Sequence, residues 1–456
     1  KVSKFKDDPN IHIWEYRSGT EYGNYHLILT QGTTYGVKGL EEHYTLCEDL
    51  RHWIALWKNV GAKIKPQIIC TSKCIFANSN NAQPDNAFKY TICNNAFEFL
   101  TKGLRIDFGK LNAREEEMPY WEELASNIDV ADFDFDAFVN QRFNTSSLNE
   151  ENAFVQTWFE YRDEFSRWLL KTYFVWKTEE SNYLIRVLEN VASLGSSDLF
   201  SQIATQIFEE PLDETSISQR LALLREAKRQ HVQITSLAEQ KVKAKLSAMA
   251  ADPERGPLFA MKYMSPLTLS EQCLMTEWVG HGKIEKNYIK ILFPELYAYL
   301  LPPSVQTEKV NGWINEYFQE YCLSKVGNSQ TENLANKLKE LNASQVSFET
   351  WRNGFKTVKT FMHNRQDIDI YYWIDGLGVD WIPFIAQVVE KHKADGVFLN
   401  EIYVAASELP TVTSVNKTKL DEMADGKLEK IGDIDKFAHT QKKYPAYLIE
   451  EFRIVE

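Results

Sequence analysis

An α/β fold combined with a large α-helical portion is what this chain of 456 residues predicts. Three observations carry that expectation. Short runs rich in β-branched and aromatic residues alternate with helical spacing near both ends, the order of strand–helix–strand units. The long middle stretch shows helical spacing almost throughout. Hydrophobic residues make up 44% of the chain, enough for two or three cores. The divisions that follow are a small α/β module at 1–110, a helical domain at 111–345, and the beginning of a second α/β domain at 346–456.

In the first module, His12–Tyr16, His26–Thr30 and Gln67–Thr71 predict short strands. Leu46, Leu50, Trp53, Ile54 and Trp57 form an apolar helical stripe within Gly39–Val60. Gln31-Gly32-Thr33-Thr34-Tyr35-Gly36 holds two glycines but lacks the Gly-Lys-Ser/Thr ending of a phosphate loop, so a plain loop is expected. No catalytic pattern is visible here, which leaves partner docking as the expected role.

The helical domain opens near Pro119–Ala125, after the acidic run Glu115-Glu116-Glu117 that suits a helix start. Asp132, Asp134 and Asp136 alternate with Phe133 and Phe135. A calcium loop needs a Gly and a closing Glu at set positions, and neither is present, so helix capping is expected. Glu151–Val175 is dense in aromatics, including Trp158, Phe165, Trp168 and Tyr173. Stacking platforms for single-stranded nucleic acid interleave aromatics with basic groups. Here Arg162, Arg167 and Lys171 are offset by Glu160, Asp163 and Glu164, which favours a core.

Asp213–Ala250 predicts one long helix, capped by Asp213 or Thr215, with Ile217, Leu221, Leu224, Ile234 and Leu237 on its apolar stripe. His231 lies on that stripe as a packed residue. The outer face, from Arg220 to Lys245, is the one basic concentration of the chain and includes Arg225, Lys228, Arg229, Lys241 and Lys243. It is either a solvated face or a contact for nucleic acid or an acidic partner. Ser265–Leu301 predicts two helices, and Lys309–Lys325, Thr331–Leu341 and Phe348–His363 continue the helical pattern.

The third region carries the chemistry. Ile368–Ile374 is almost continuously apolar, as a strand buried on both faces would be. Asp375-Gly376 ends it with an acid and a turn residue. Trp381, Phe384, Ile385, Val388 and Val389 make Val379–His392 a helix, and Val397–Ala406 predicts a second strand. Leu409-Pro410-Thr411-Val412-Thr413-Ser414 then follows as a loop, and Tyr447–Val455 predicts a strand or a short helix. Both polar clusters therefore fall after strand C-termini, the edge at which sites collect in open α/β sheets. A carboxylate there suits a hard metal ion, and a hydroxyl needs a base or a metal to become a nucleophile. Asp375, Thr411 and Thr413 equally suit the capping of a turn or helix.

The two segments Ile374-Asp375-Gly376-Leu377-Gly378 and Leu409–Ser414 resemble the start of a PglZ domain, and Phe293–Leu300 resembles the text that precedes it. That family belongs to the alkaline phosphatase superfamily and is a component of bacterial BREX phage-defence systems. The resemblance implies an alkaline-phosphatase-like α/β domain and a divalent two-metal site, usually zinc. It implies Asp375 as a metal ligand, Thr413 as nucleophile and metal ligand with Thr411 as the alternative, and Asn416 orienting a substrate oxygen. The superfamily also uses an Asp-His-Gly element and a further His. After Asn416 this chain offers Asp421, Asp425, Asp433, Asp435 and His439 but no Asp-His-Gly, and it runs from Lys1 to Glu456. It therefore reads as a fragment, inactive by itself, of a metal-dependent phosphatase or phosphodiesterase.

Bulk properties bound the rest. A formal charge of −13 argues against bulk binding to duplex DNA, while leaving room for a local patch. No run of about eighteen apolar residues exists, so no membrane span is expected. Six cysteines in a chain this long, Cys47, Cys70, Cys74, Cys93, Cys273 and Cys322, fit reduced thiols of a cytoplasmic protein. The resemblance implies other BREX proteins as partners, and the basic helix leaves DNA as a further one. A non-catalytic interaction scaffold is the competing expectation, and a nucleic-acid module built on the basic helix is the third.

Overall fold

The structure describes residues 25–49, 51–52, 55, 65–71, 88–209, 211, 213–303, 313–343, 348–363, 365, 367–440 and 442–456. The strand expected at His12–Tyr16, most of the stripe at Trp53–Trp57, Cys74, and the start of the helix expected at Lys309 lie outside those residues. In this computed structural model the protein is mixed α/β, with 59% of the described residues in helix and 7% in strand. It divides into two compact units, Lys1–Leu199 and Phe200–Glu456.

The first unit is built on a parallel sheet of β1 (Tyr25–Leu29), β2 (Thr45–Cys47), β3 (Gln67–Cys70) and β4 (Phe88–Ile92), in the order β2-β3-β1-β4. Leu27, Ile28, Ile68 and Ile69 are buried on it, as parallel strands require. Thr45–Cys47 is a strand inside the stretch that the sequence predicts as helix. Its pairing with β3, Thr45 against Ile68, outweighs the local helical spacing.

The helices α1 (Met118–Asn127), α2 (Phe135–Phe143), α3 (Glu151–Glu160) and α4 (Glu164–Lys177) follow. Asp134 caps α2 through the amide of Ala137, and Asp136 is paired with Lys177 at 2.9 Å, so the alternating acids are structural. Trp158, Phe165, Trp168 and Tyr173 are buried, and Trp121 packs edge-on against Trp168. Arg167 serves as an internal clamp, donating to the carbonyls of Trp158, Tyr161 and Leu194.

In the second unit the stretch expected as one long helix is two, α5 (Glu214–Arg229) and α6 (Ser236–Ala250). His231 adopts φ 57° between them, and Thr235 caps α6. The basic face is divided accordingly. Arg220 points inward, 2% exposed, and pairs with fully buried Glu271 at 3.1 Å. Lys241 and Lys245 both reach Glu209, and Lys243 lies 3.7 Å from Glu277.

Next come α7 (Leu269–Gly280), α8 (Pro294–Tyr299), α9 (Trp313–Gly327), α10 (Phe348–Asn353) and α11 (Val358–His363). α7 and α9 cross backbone to backbone. A Cβ on Gly280 would lie 2.5 Å from the Cα of Gly327. The remaining elements are β5 (Tyr371–Ile374), α12 (Ile382–Lys391), α13 (Thr413–Ala424), β6 (Leu428–Ile431), α14 (Asp433–Ala438) and α15 (Ala446–Val455).

β5 and β6 form a two-stranded parallel sheet, with Trp373 opposite Lys430. Two expectations fail here. Tyr371–Ile374 alternates between half-buried and exposed instead of being buried on both faces. Val397–Ala405 is irregular, and only Ala406 makes a bridge, to Thr357. The partner strand of β5 is Leu428–Ile431, more than fifty residues along the chain from β5, a distance at which local pattern says nothing about pairing.

A buried polar group gathers around Asp380, five residues past Asp375. Tyr299 donates to Asp380 at 2.8 Å, and Lys325 stands 3.9 Å from Asp380 and 3.5 Å from Glu451. Lys325 also lies over the rings of Trp381 and Tyr299. This group ties α8, α9 and α15 to the loop that leaves β5. Burial pushes the carboxyl of Glu451 up, and burial raises the Cys322 thiol to about 12. No helix among the described residues is long and apolar enough to cross a membrane.

Candidate functional site

The chain leaves β5 at Asp375, whose amide donates to the carbonyl of Ile431 at 3.0 Å. That bond fixes the backbone under the carboxylate. Gly376 then turns with φ 91°, and a Cβ there would meet Ile434 at 3.1 Å, so the turn runs tightly over α14. Only glycine takes this conformation without strain.

The carboxylate of Asp375 holds two side chains. Thr413 Oγ1 donates to Oδ2 at 3.1 Å, and Lys430 Nζ lies 2.8 Å from the same oxygen. The Lys430 ammonium, with a smaller contribution from Thr413, holds the carboxyl below the usual carboxylate range against the opposing effect of burial. Asp375 is therefore ionised at neutral pH.

Thr413 is the first residue of α13, and its N-cap, Val412, offers no side-chain acceptor. The first amides of that helix are unpaired within it and carry its positive end, which favours a negative group nearby. The loop before α13 is held by Asn416. Its Oδ1 accepts from the Glu408 amide at 2.9 Å, and its Nδ2 donates to the carbonyls of Glu408 and Val412 at 3.1 and 3.2 Å. The side chain expected to orient a substrate oxygen is thus directed at its own loop, 8% exposed. Thr413, not Thr411, is the hydroxyl bonded to Asp375. Thr411 lines an open cleft of about 720 Å³ that runs along Tyr371–Leu377 and is bounded across by Phe361 and Leu420.

Asp375 and Thr413 are oxygen donors of the type a hard divalent cation takes. Zinc takes four ligands, and among the described residues no group of three His, Cys, Asp or Glu gathers that would hold a metal. Asp421 pairs with Lys417, Asp433 with Lys436, and Asp435 lies 3.8 Å from His439. The backbone of Asp435 borders Gly376, which places α14 beside the site.

Lys430 is the participant that sequence reasoning missed. Nothing near Lys430 in the chain marks it. Only the parallel register of β5 and β6, with Trp373 opposite it, brings it to Asp375. With the geometry in hand, no protein-family model, curated protein or solved structure matches the chain.

Proposed function

We propose that the chain belongs to a PglZ-type phosphoric-ester hydrolase acting as a component of a BREX phage-defence system. The observation that carries this reading is the 3.1 Å hydrogen bond from Thr413 to Asp375 at the C-terminal end of β5, between the two segments that bear the resemblance. A nucleophilic hydroxyl needs an acceptor for its proton, and an ionised carboxylate hydrogen-bonded to it is such an acceptor. In this reading Thr413 Oγ1 attacks phosphorus as its proton passes to Asp375 Oδ2, the phosphorus–oxygen bond to the leaving alcohol breaks, the departing alkoxide takes up that proton, and water then hydrolyses the phosphothreonine ester to restore the hydroxyl. The ammonium of Lys430 balances the carboxylate before transfer and would be free to meet a phosphate oxygen afterwards. A divalent cation held by Asp375 and Thr413, zinc by resemblance, would lower the hydroxyl's pKa and neutralise developing charge.

The first unit and the helices of the second are then the partner-docking part of the protein. The lysines of α6 are engaged by carboxylates of Glu209 and Glu277, which weighs against DNA as a main partner.

The test is hydrolysis of bis(p-nitrophenyl) phosphate by the full-length natural protein with zinc. Asp375→Ala and Thr413→Ala are expected to abolish turnover, with Thr411→Ala retaining it. Unchanged rates in the first two variants would overturn the reading.

A further inference from the structure

The cleft beside the site runs along β5, whose outer edge is unpaired among the described residues. Tyr371 N donates to Lys427 O at 2.8 Å and Asp375 N to Ile431 O at 3.0 Å, so these residues face β6. Backbone groups alternate along a strand. Tyr372 and Ile374 therefore turn their N–H and C=O groups to the opposite edge, where no strand pairs among the described residues. The cleft runs along the whole of β5 and the turn after it, Tyr371–Leu377, and reaches Leu428 of β6. Isolated two-stranded parallel sheets are unusual, because parallel sheets are ordinarily extended and covered.

A matching segment lies close by in the same chain. Val397–Ala405 has the β-branched and aromatic composition of a strand but makes no ladder. Its apolar side chains face solvent, Phe398 at 64% and Tyr403 at 55% exposed. It is held in place by an exposed Arg365–Glu401 ion pair, a tilted ring contact of Tyr403 with Phe361, and the Arg365 guanidinium lying over both rings. Gly396, with φ 87° and nothing near a would-be Cβ, starts it, and the bridge at Ala406 ends it. Residues 375–396, which contain α12, join β5 to this segment and are long enough for a parallel crossover, which needs about a dozen residues. Such crossovers are right-handed and return the chain to the same sheet.

We propose that Val397–Ala405 closes onto the free edge of β5 as a third parallel strand. Closure pairs the amides of Tyr372 and Ile374, removes the exposed apolar row from water, and draws taut the Ser407–Val412 loop that leads to Thr413. The segment is tethered at both ends, so its effective concentration at the edge exceeds that of any free strand.

Hydrogen exchange resolved to single amides tests this. Slow exchange at Tyr372 and Ile374, together with alternate amides of 397–405 and independent of protein concentration, is the expected result. Ile402→Pro, which removes a ladder donor, and Phe398→Asp, harmless while that side chain is exposed, should each speed exchange at Tyr372 and Ile374 by about tenfold or more. Protection retained in α7 shows that both variants are folded. Unprotected amides at Tyr372 and Ile374 in the parent protein would overturn the proposal. So would protection that survives both substitutions, or that grows with concentration, since another strand or a second copy would then hold the edge.

Discussion

Lys430 and Asp375 meet across the parallel pair of β5 and β6, Nζ to Oδ2 at 2.8 Å, one strand supplying the cation and the end of the other the anion. The pair is the electrostatic centre of the candidate site, and its consequences are measurable.

Lys430→Met should return the Asp375 carboxyl toward the ordinary range, since the lysine is the chief cause of its depression. A carboxyl whose folded-state pKa is depressed adds stability above its unfolded value of about 4, and that stability is lost as pH falls through the folded value. The variant should therefore show a shallower loss of stability on acidification below about pH 4 than the parent. Denaturant unfolding across pH 2–6 measures it, and identical acid limbs would contradict the pairing.

Asn416→Ala should loosen the loop that presents Thr411 and Thr413. It leaves the Glu408 amide and two carbonyls without their partner in a site that is 8% exposed. A cost of about 1–3 kcal/mol is expected. Amides of 407–413 should exchange faster than in the parent protein. A thermal midpoint and exchange pattern equal to the parent's would show that the clasp contributes nothing.

Arg220→Ala should damage the second unit far more than any lysine of α6. Arg220 donates to the carbonyls of Ala204 and Tyr263 as well as to Glu271. Removing it strands a fully buried carboxylate, which costs about 3–5 kcal/mol. Lys243→Ala, on the half-exposed surface, should change stability by less than about 1 kcal/mol. Urea melts of the two variants side by side decide it.

Glu451→Gln should behave in the opposite sense to the Asp375 pair on changing pH. Burial raises the Glu451 carboxyl. A raised acid favours the fold below the unfolded pKa of about 4, and that advantage is lost as pH rises through the folded value. The glutamine, which carries no charge, should therefore gain on the parent as pH rises from 4 to 7. A difference that stays constant over that range would contradict the assignment.

How much of this the sequence conveys depends on the reach of each interaction. Asp134 as a cap, the buried aromatics of α3 and α4, and the placement of Asp375 just after a strand all follow from local pattern. The approach of Thr413 to Asp375 is expected from the resemblance and from both lying after predicted strands. One of those strands, Val397–Ala406, does not form in this arrangement. The break of the helix at His231 is hidden because no glycine or proline marks it. The chain uses a left-handed histidine there instead. Arg220 reads as a surface cation because periodicity cannot see Glu271, which arrives from another helix. Lys430 is invisible for the same reason, since its partner is set by a pairing across the sheet.

The crossing at Gly280 and Gly327 leaves no room for even one methyl group. Alanine at either position would act as a wedge between α7 and α9. The displaced α9 carries Lys325, and through it the group around Asp380, five residues beyond Asp375. A substitution at Gly327, made of nothing but carbon and hydrogen and lying well outside the cleft, would therefore be transmitted as a shift in the footing of the turn at Gly376.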